Sequence, residues 1–349
     1  AMRMTATDAT RRCPDVPHAA WYAAGTSEEV GRTPLARRVL GTPVVLYRTA
    51  GGDVVALEDR CAHRPVPLSG GYLEGDDIVA AYSGFRYAPD GRCVGVPTQP
   101  NVPFGTAVRA FPVHDDGSFV WIWTGDPRLA KLRPAPDTSW LRDPAWSTFG
   151  DAWETRAAVQ LLIDNFSDIT HVVHVDPDIA PPALGSGPTP PLRVTVSETT
   201  MRFSRDFPPA PLASWHAMVA GVSADEAFAQ REEGEFVSPG LWVDRWHVDA
   251  GGRPTRTFVF THTLTPVDET TTRHVWRVSR DFAPGGAATG TLAPVFGRYY
   301  RRVQSALEAM QQVITVDGPR PTVSVAADAA ATAVRRILER LVADETGVR

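Results

Sequence analysis

Short hydrophobic runs separated by turn residues dominate the first third of the chain. These runs are rich in Val, Leu and aromatic residues, and Gly, Asp and Pro stand between them: Arg38–Tyr47, Val54–Glu58, Ile78–Ala81 and Phe119–Trp123. Short apolar segments bounded by such residues are typical of β-strands. The pattern between Trp21 and Thr124 therefore predicts a small antiparallel β domain, to which we assign residues 18–130.

A different pattern follows a polar, proline-containing linker between Asp126 and Pro144. Apolar and polar residues alternate at helical spacing over 157–175, and a Pro/Gly loop follows at 181–191. Strand-like runs then resume, and two helical segments close the chain: Leu192–Val196, Met201–Phe203, Phe258–Leu264, Arg273–Arg280, Pro294–Val316 and Ala326–Asp344. We therefore predict an α+β fold, with a second domain of sheet and helices over residues 131–349.

Composition and charge narrow the classes of partner. The chain has 349 residues and a net charge of -5, and its arginines are dispersed rather than gathered in a basic stripe. A nucleic-acid binder is expected to carry such a stripe, so we predict no nucleic-acid partner. Since no apolar run approaches the ~18–20 residues that cross a bilayer, we also predict no membrane partner and a cytoplasmic location.

Cysteine is sparse, but one cysteine belongs to a recognisable pattern. Cys13, Cys61 and Cys93 are too few for a four-cysteine metal site, and an odd count does not suit a disulfide framework. Cys61 and His63, however, form a Cys-x-His pair. Such a pair on a loop is half of the ligand set of a Rieske-type [2Fe–2S] centre, which takes two Cys and two His.

The residues around this pair resemble the N-terminal domain of Rieske non-haem iron oxygenases of the vanillate O-demethylase and dicamba monooxygenase type. The resemblance covers nearly the whole chain and is carried by the following stretches: Trp21–Ala24, Val44–Arg48, Ala56–Arg64, Gly91–Val94, Phe260–Pro266, Trp276–Phe282, Ala327–Ala330 and Arg335–Leu338. It implies an all-β Rieske-like domain followed by a helix-grip domain of the START or Bet v1 type with a substrate pocket. It also implies a head-to-tail homotrimer.

Two of the four cluster ligands that the resemblance implies are replaced. Where the family has its second Cys and second His, this sequence has Ala80 and Ser83. Alanine cannot ligate iron, and serine is a poor replacement for an imidazole. We therefore expect Cys61 and His63 to be remnants of the ligand set.

The iron motif of the family is altered as well. In the family, Asn-x-x-Asp-x-x-His-x-x-x-x-His supplies two histidines of a 2-His-1-carboxylate site for Fe(II). Asn165, Asp168 and His171 match this motif, but the second histidine falls on Asp176.

The carboxylate of that site is also replaced, because its expected position near the start of the penultimate helix holds Val303 or Gln304. An alternative metal site of His171, His174 and Asp176 stays open, since residues three apart share a helix face. The cluster serves to feed electrons to the iron, so we expect both groups to be lost together. We therefore predict a chain without cofactors.

Polar residues nevertheless recur on the predicted helix. Asp164, Asp168 and His171 stand at i, i+4 and i+7 in an otherwise apolar stretch, so we expect them to share an inward face. They form either an inherited structural network or acid/base groups with tuned pKa values. We name two sets of candidates: Asp168, His171, His174 and Asp176 as catalytic residues, and Asp164, Asn165, His216, Trp246 and His262 as substrate-binding residues.

Three functions remain open at this point. The first is a redox-neutral cyclisation, isomerisation or rearrangement of an apolar secondary metabolite, with catalysis by orientation and acid/base residues. The second is an oxygen-dependent monooxygenase or demethylase with an atypical iron site and an external reductase. The third is a non-catalytic subunit that pairs with an active paralogue.

Overall fold

The computed structural model describes residues 12–185, 187–249 and 256–347. Its N-terminal part is built from ten short strands and one short helix: β1 (Trp21–Thr26), β2 (Leu35–Val39), β3 (Thr42–Arg48), β4 (Val54–Glu58), β5 (Tyr72–Glu74), β6 (Asp77–Val79), β7 (Arg86–Tyr87), β8 (Cys93–Gly95), β9 (Val113–Asp115), β10 (Phe119–Trp123) and α1 (Pro127–Ala130). They form three small antiparallel sheets, with strand orders β1-β10-β9, β2-β3-β4 and β5-β6-β7-β8. The predicted small antiparallel domain is therefore confirmed.

The C-terminal part is one seven-stranded sheet with helices around it. Its elements are β11 (Ser147–Thr155), α2 (Val159–Ser167), α3 (Val172–Val175), α4 (Pro182–Gly185), β12 (Arg193–Val196), β13 (Met201–Pro211), α5 (Ser214–Ala220), β14 (Ala227–Ser238), β15 (Leu241–Asp249), β16 (Arg256–Asp268), β17 (Thr271–Arg280), α6 (Gly286–Asp317) and α7 (Ala329–Thr346). The sheet is antiparallel, in the order β11-β17-β16-β15-β14-β13-β12. The predicted α+β fold is confirmed.

Period-two alternation determines which side chains of the sheet face inward. In β14, every second residue from Phe228 to Phe236 is buried, and Glu232 belongs to that buried series. Gly234 belongs to it as well, and an added Cβ there would collide with the ring of Phe203 on β13. The buried series of β14 therefore places one carboxylate on the inner face of the sheet.

The long helix α6 covers this inner face. Its buried residues recur every three or four positions, which is the spacing of one helical stripe: Leu292, Phe296, Tyr300, Val303, Leu307 and Gln311. The described helices include none that is long and apolar enough to cross a bilayer.

The two parts are joined by backbone hydrogen bonds as well as by packing. The N–H groups of Leu40 and Gly41 donate to the carbonyl oxygens of Pro266 and Val267 at 2.7 and 2.9 Å. Thr265 Oγ1 donates to the carbonyl of Ala23 at 2.7 Å. The end of β16 is thereby anchored to the N-terminal sheets.

Candidate functional site

The structure brings the altered cluster loops together. Cys61 Sγ lies 3.5 Å from Ser83 Oγ and 3.3 Å from the hydroxyl of Tyr87. His63 stacks on Phe85 with ring centroids 4.9 Å apart. Position 83 therefore stands beside Cys61, as the ligand pattern implies, but it presents a hydroxyl there.

The thiol of Cys61 is held in a polar environment although it is buried. Burial raises its pKa, but hydrogen bonds with Ser83, with Tyr87 and with the backbone at His63 and Arg64 outweigh burial and lower it below the usual value. Ala80 is buried in the same cluster of side chains. At the four ligand positions that the resemblance implies, the donors are therefore one thiol and one imidazole, which is half of what a Rieske cluster takes.

The predicted helix over 157–175 is broken at Asp168. Helix α2 ends at Ser167, and the Asp168 carboxylate accepts hydrogen bonds from Thr170 N at 2.9 Å and Thr170 Oγ1 at 2.8 Å. Such an Asx turn competes with helical hydrogen bonding. The expectation that Asp164, Asp168 and His171 share one helix face is therefore wrong.

Asp164 lies away from the inner face of the sheet. Its carboxylate accepts a hydrogen bond from Gln160 at 2.9 Å and pairs with Arg335 on α7. The side chain of Asp164 therefore connects two helices at the surface, and it is not among the residues that line the pocket described below.

The three residues of the alternative metal site point to different surroundings. The Nε2 atom of His171 lies 3.1 Å from the hydroxyl of Tyr299, whereas His174 is exposed. Asp176 is fully buried, and its carboxylate accepts hydrogen bonds from Arg298 at 2.9 and 3.3 Å. Within the described ranges, no three His, Cys, Asp or Glu side chains are grouped so that they could hold a metal ion.

A pocket lies between the inner face of the sheet and the helices α2, α5 and α6. It encloses about 120 Å³. Its lining is mainly aromatic and aliphatic, with a few polar side chains: Asn165, Phe166, Ile169, His171, Val172, Ile179, Pro181, Leu184, Ala213, Trp215, His216, Glu232, Asp244, Arg245, Trp246, Phe258, Phe260, His262, Phe296, Tyr299 and Tyr300.

Glu232 is the most buried carboxylate of the pocket wall. Its Oε2 accepts a hydrogen bond from Arg205 Nη1 at 3.0 Å, and each of the two side chains is only 3% exposed. Burial raises the pKa of Glu232 to about 7, because the neighbouring Arg205 offsets the desolvation only in part and Asp168 adds repulsion. Glu232 can therefore accept or release a proton near neutral pH.

A second carboxylate adjoins a pair of buried histidines. Trp242 Nε1 donates to Asp244 Oδ1 at 2.7 Å, and Asp244 Oδ2 lies 3.9 Å from His262 Nε2. Nδ1 of His262 is in turn 2.9 Å from Nε2 of His274. Burial raises the pKa of Asp244 well above its usual range and lowers the pKa of His274 to about 3. Both imidazoles are therefore neutral at pH 7, since burial also lowers the pKa of His262.

His171 and Tyr299 form the third polar feature of the pocket. Burial lowers the pKa of His171, although a hydrogen bond to the backbone of Asp168 opposes this shift. Burial raises the pKa of Tyr299, and the charges of Asp244 and Asp176 raise it further. A neutral imidazole therefore faces a protonated phenol.

Five of the predicted site residues line the pocket: Asn165, His171, His216, Trp246 and His262. Asp164, Asp168, His174 and Asp176 are not among its lining residues. The sequence analysis did not single out Glu232, Tyr299 or Ala213. The signal for Glu232 was present in the alternation of β14, where a glutamate occupies the buried series between Phe228 and Phe236.

Comparison with known proteins places both parts of the chain in known domain families. Residues 20–112 match the Rieske [2Fe-2S] domain, and residues 155–344 match the vanillate O-demethylase oxygenase C-terminal domain. A putative toluene-4-sulfonate monooxygenase system iron-sulfur subunit of Comamonas testosteroni is 32% identical over 346 residues, which cover 94% of this chain and 97% of that protein.

Solved structures of dicamba monooxygenase share the whole fold. The complex with 3,6-dichlorosalicylic acid superposes with a TM-score of 0.86 at 28% identity and covers 94% of this chain and 98% of that one. A second structure, with non-heme iron and dicamba, gives a TM-score of 0.78 at 27% identity and covers 94% and 98% of the two chains.

These relatives correct the prediction that the chain carries no cofactor. The matching Rieske domain is a [2Fe-2S] domain, and a similar chain contains non-heme iron, so the family indicates both groups. That prediction is wrong on this evidence. The residues of this chain do not match the family's ligands for either the [2Fe-2S] cluster or the iron. Ala80 and Ser83 replace two ligands of the cluster. Asp176 replaces a histidine ligand of the iron, and its carboxylate forms an ion pair with Arg298. On its two domain matches and its full-length similarity, the chain belongs to the Rieske oxygenase family, in the vanillate O-demethylase and dicamba monooxygenase group.

Proposed function

We propose that the chain is an enzyme that converts a small, ring-containing and mainly apolar molecule in the aromatic pocket. The observation that carries this proposal is the build of the pocket, a mainly apolar cavity with a few convergent polar groups. An apolar cavity of roughly 150 Å³ binds benzene in another protein. A cavity of about 120 Å³ therefore accommodates about one ring in the conformation described.

The relatives favour an oxygen-dependent reaction. Similar proteins are named as components of monooxygenase and demethylase systems. This supports, for our chain, a monooxygenation or demethylation with an atypical iron site and electrons from a separate reductase. The pocket residues of this chain bind and orient the ring and exclude water. Phe166, stacked on His262 at 4.0 Å between ring centroids, forms part of that wall.

A redox-neutral reaction is the second candidate, and the protonic groups of the pocket favour it. Glu232 has a pKa of about 7 inside the cavity wall, and Tyr299 and His171 form a hydrogen-bonded pair at the same cavity. These are groups that remove a proton from one substrate atom and return a proton to another. Such an isomerisation or cyclisation needs no oxidant. The comparisons support the oxygenase class better.

One experiment separates the two reaction classes. Protein purified without chelator is analysed for iron, zinc and sulfide, and its absorption spectrum is recorded. It is then incubated with vanillate, toluene-4-sulfonate and dicamba under air with NADH and a ferredoxin-type reductase, and separately with 3-cyclohexen-1-one without oxygen. Products are separated by gas chromatography and identified by mass spectrometry, and an isomer of equal mass is distinguished from the probe by its retention time against an authentic standard.

The outcomes point in different directions. Bound iron together with oxygen-dependent products supports the first candidate. Anaerobic formation of 2-cyclohexen-1-one, whose mass equals that of the probe, supports the second. If the protein converts no probe and instead co-purifies in a complex with a paralogue, the enzyme proposal is overturned in favour of a non-catalytic subunit.

We also propose that the chain forms a homotrimer. Two large apolar side chains of the N-terminal part support self-association, since Tyr82 is 73% exposed and Phe104 is fully exposed. Analytical ultracentrifugation measures the mass of the assembly. A monomer at micromolar concentration would overturn this proposal.

A further inference from the structure

Four polar atoms in the pocket wall have no hydrogen-bond partner among the described residues. They are side-chain atoms shielded from solvent: Asn165 Nδ2, Trp215 Nε1, His216 Nε2 and Glu232 Oε1. A buried polar atom without a partner is unfavourable, so such atoms are uncommon and call for an explanation. Because these four belong to side chains that line one cavity, they are candidate partners for a ligand bound there.

Glu232 is the acceptor of the group. Arg205 Nη1 occupies its Oε2, and Arg205 Nε donates at the same time to the carbonyl of Pro190 at 2.9 Å. The carboxylate is therefore fixed through one oxygen, whereas Oε1 has no partner among the described residues and belongs to a side chain that lines the cavity. A ligand meets this oxygen best with a hydroxyl or another hydrogen-bond donor.

Two atoms of the group are donors. Asn165 Nδ2 and Trp215 Nε1 carry hydrogens in any protonation state, so they suit a carbonyl or another acceptor oxygen. Trp215 is held by its stacking on His216, with ring centroids 5.2 Å apart, and by an edge contact with Phe296 at 5.3 Å. Burial lowers the pKa of His216 to about 3, so its imidazole is neutral and adapts by choice of tautomer.

The geometry points to a ring-containing hydroxy-carbonyl compound as the ligand class of this pocket, with its hydroxyl on Glu232 Oε1 and its carbonyl oxygen on the donors of Asn165 and Trp215. This inference rests on the proposed function, because it names the substrate class of the same site. The ring of such a ligand packs against the rest of the wall, which is mainly aromatic and aliphatic.

The ionisation of Glu232 determines how strongly it attracts a hydroxyl. The carboxylate form only accepts hydrogen bonds, whereas the protonated form also donates, so the preference for a hydroxyl weakens below pH ~7. Two charged groups act on Glu232 from β13 and from the turn after α2, Arg205 and Asp168. The other titratable and charged groups that line the same cavity are His171, His216, Asp244, Arg245, His262, Tyr299 and Tyr300. Burial lowers the pKa values of the three histidines.

A set of non-titrating probes tests the inference by binding alone. The affinities of 2-, 3- and 4-hydroxycyclohexanone are measured by calorimetry or ligand-observed NMR. Each is compared with the methylcyclohexanone that lacks the hydroxyl and with the methylcyclohexanol that lacks the carbonyl. We expect at least one hydroxyketone to bind about tenfold more tightly than both analogues at pH 8. We expect its advantage over the methylketone to shrink at pH 6.

Variants separate hydrogen bonding from packing. Trp215→Phe should weaken ketone binding several-fold and leave methylcyclohexanol binding unchanged. Trp153→Phe is the matched control, because Trp153 Nε1 is also buried without a partner among the described residues but does not line the pocket. Glu232→Gln should abolish the pH dependence. If this variant does not fold, the pH profile of the wild-type protein still decides.

Equal affinities of the hydroxyketones and their methyl analogues at pH 8 would overturn the inference, as would an equal effect of Trp215→Phe and Trp153→Phe. This test does not depend on turnover. An enzyme that converts a probe but binds hydroxyketones no better than methyl analogues refutes the ligand class and leaves the proposed function standing.

Discussion

Arg298 on α6 holds the carboxylate of Asp176, with Arg298 Nε 2.9 Å from Asp176 Oδ2. Asp176 stands at the position of the family's second histidine, and α6 is the helix on which the third ligand of the iron site is expected. Arg302 Nη1 lies 3.3 Å from the other oxygen of the same carboxylate. An ion pair therefore connects the two segments that share a metal ion in the family's ligand pattern.

Loss of this ion pair should destabilise the fold. In the variant Arg298→Gln, the fully buried carboxylate of Asp176 keeps only its ion pair with Arg302. Breaking a buried pair costs ~3–5 kcal/mol, and because Arg298 is 41% exposed we expect a value near the lower end. Thermal unfolding measures this. Arg336→Gln, at an exposed position on α7, is the control and should change the stability little. An equal loss of thermal stability in the two variants would contradict the stabilising role of the ion pair between Arg298 and Asp176.

Breaking the ion pair Arg205–Glu232 should lower the free energy of unfolding by an amount that depends on pH. Arg205→Met leaves Glu232 buried without a counter-charge, so we expect the free energy of unfolding to fall by ~3–5 kcal/mol at pH 8. The pKa of Glu232 is already raised to about 7, and the variant raises it further. At pH 6 the carboxyl group is neutral, and the loss should be smaller.

The double variant Arg205→Met/Glu232→Leu serves as the control, because removal of both charges leaves no unpaired ion. It should recover most of the lost stability, as is common for buried pairs replaced by apolar residues. Chemical unfolding at pH 6 and pH 8 measures all three proteins. A cost for Arg205→Met that does not change with pH would contradict the account of Glu232.

The buried histidines should make the fold sensitive to acid. Burial lowers the pKa of His216 and of His274 to about 3, whereas an unfolded histidine titrates near 6.5. The contribution of these two histidines to the free energy of unfolding is fully present above pH 6.5. It is lost as the pH falls below 6.5, because only the unfolded chain takes up the proton. Each contributes at most ~1.4 kcal/mol per pH unit, and Glu232 and Asp244 oppose this trend as they bind protons in the folded state.

His216→Phe tests the sign of this effect. The variant should unfold with a weaker pH dependence than the wild-type protein between pH 6.5 and pH 4.5. His114→Phe, at an exposed position, is the matched control and should keep the wild-type slope. A wild-type unfolding free energy that rises steadily as the pH falls through this range would contradict the account.

The contact between Cys61 and Ser83 allows a test of the Rieske-like loops. Ser83 Oγ stands 3.5 Å from Cys61 Sγ, and Ala80 is buried in the same cluster, so Ala80→Cys together with Ser83→His supplies the two replaced ligand types. After incubation with iron and sulfide, this double variant should bind about two of each per chain and absorb visible light. The single variant Ala80→Cys is the control. Equal uptake by the two variants would show that position 83 does not face the cluster site.

The architecture was predictable from the sequence because it depends on local patterns and on motifs that span the chain. Short apolar runs bounded by turn residues indicated the antiparallel strands, and the motif around Cys61 indicated the domain type. The break at Asp168 was not predictable from periodicity, because the helical spacing of apolar residues continues through it. A hydrogen bond from the backbone N–H of Thr170 to the carboxylate of Asp168 ends the helix there.

The pocket was predictable only in part. Trp246 and His262 were named as candidates and line it, but Glu232 was not named, because a run of charged residues in a strand usually faces solvent. Its burial follows from the register of β14 with Arg205 on β13, which no local pattern contains. Asp176 was assigned to catalysis, but its partner Arg298 lies more than one hundred residues away in sequence.

The central claim, that conversion takes place in the aromatic pocket, is tested most directly by filling that pocket. Ala213 is buried and lines the cavity, so Ala213→Leu places three further carbon atoms inside about 120 Å³. Ala287→Leu, at an exposed position on α6, is the control. With the probe that the wild-type protein converts, we expect product formation to fall at least tenfold in Ala213→Leu and to remain unchanged in Ala287→Leu, with both variants folded by circular dichroism. Undiminished product formation by a folded Ala213→Leu protein would contradict the claim.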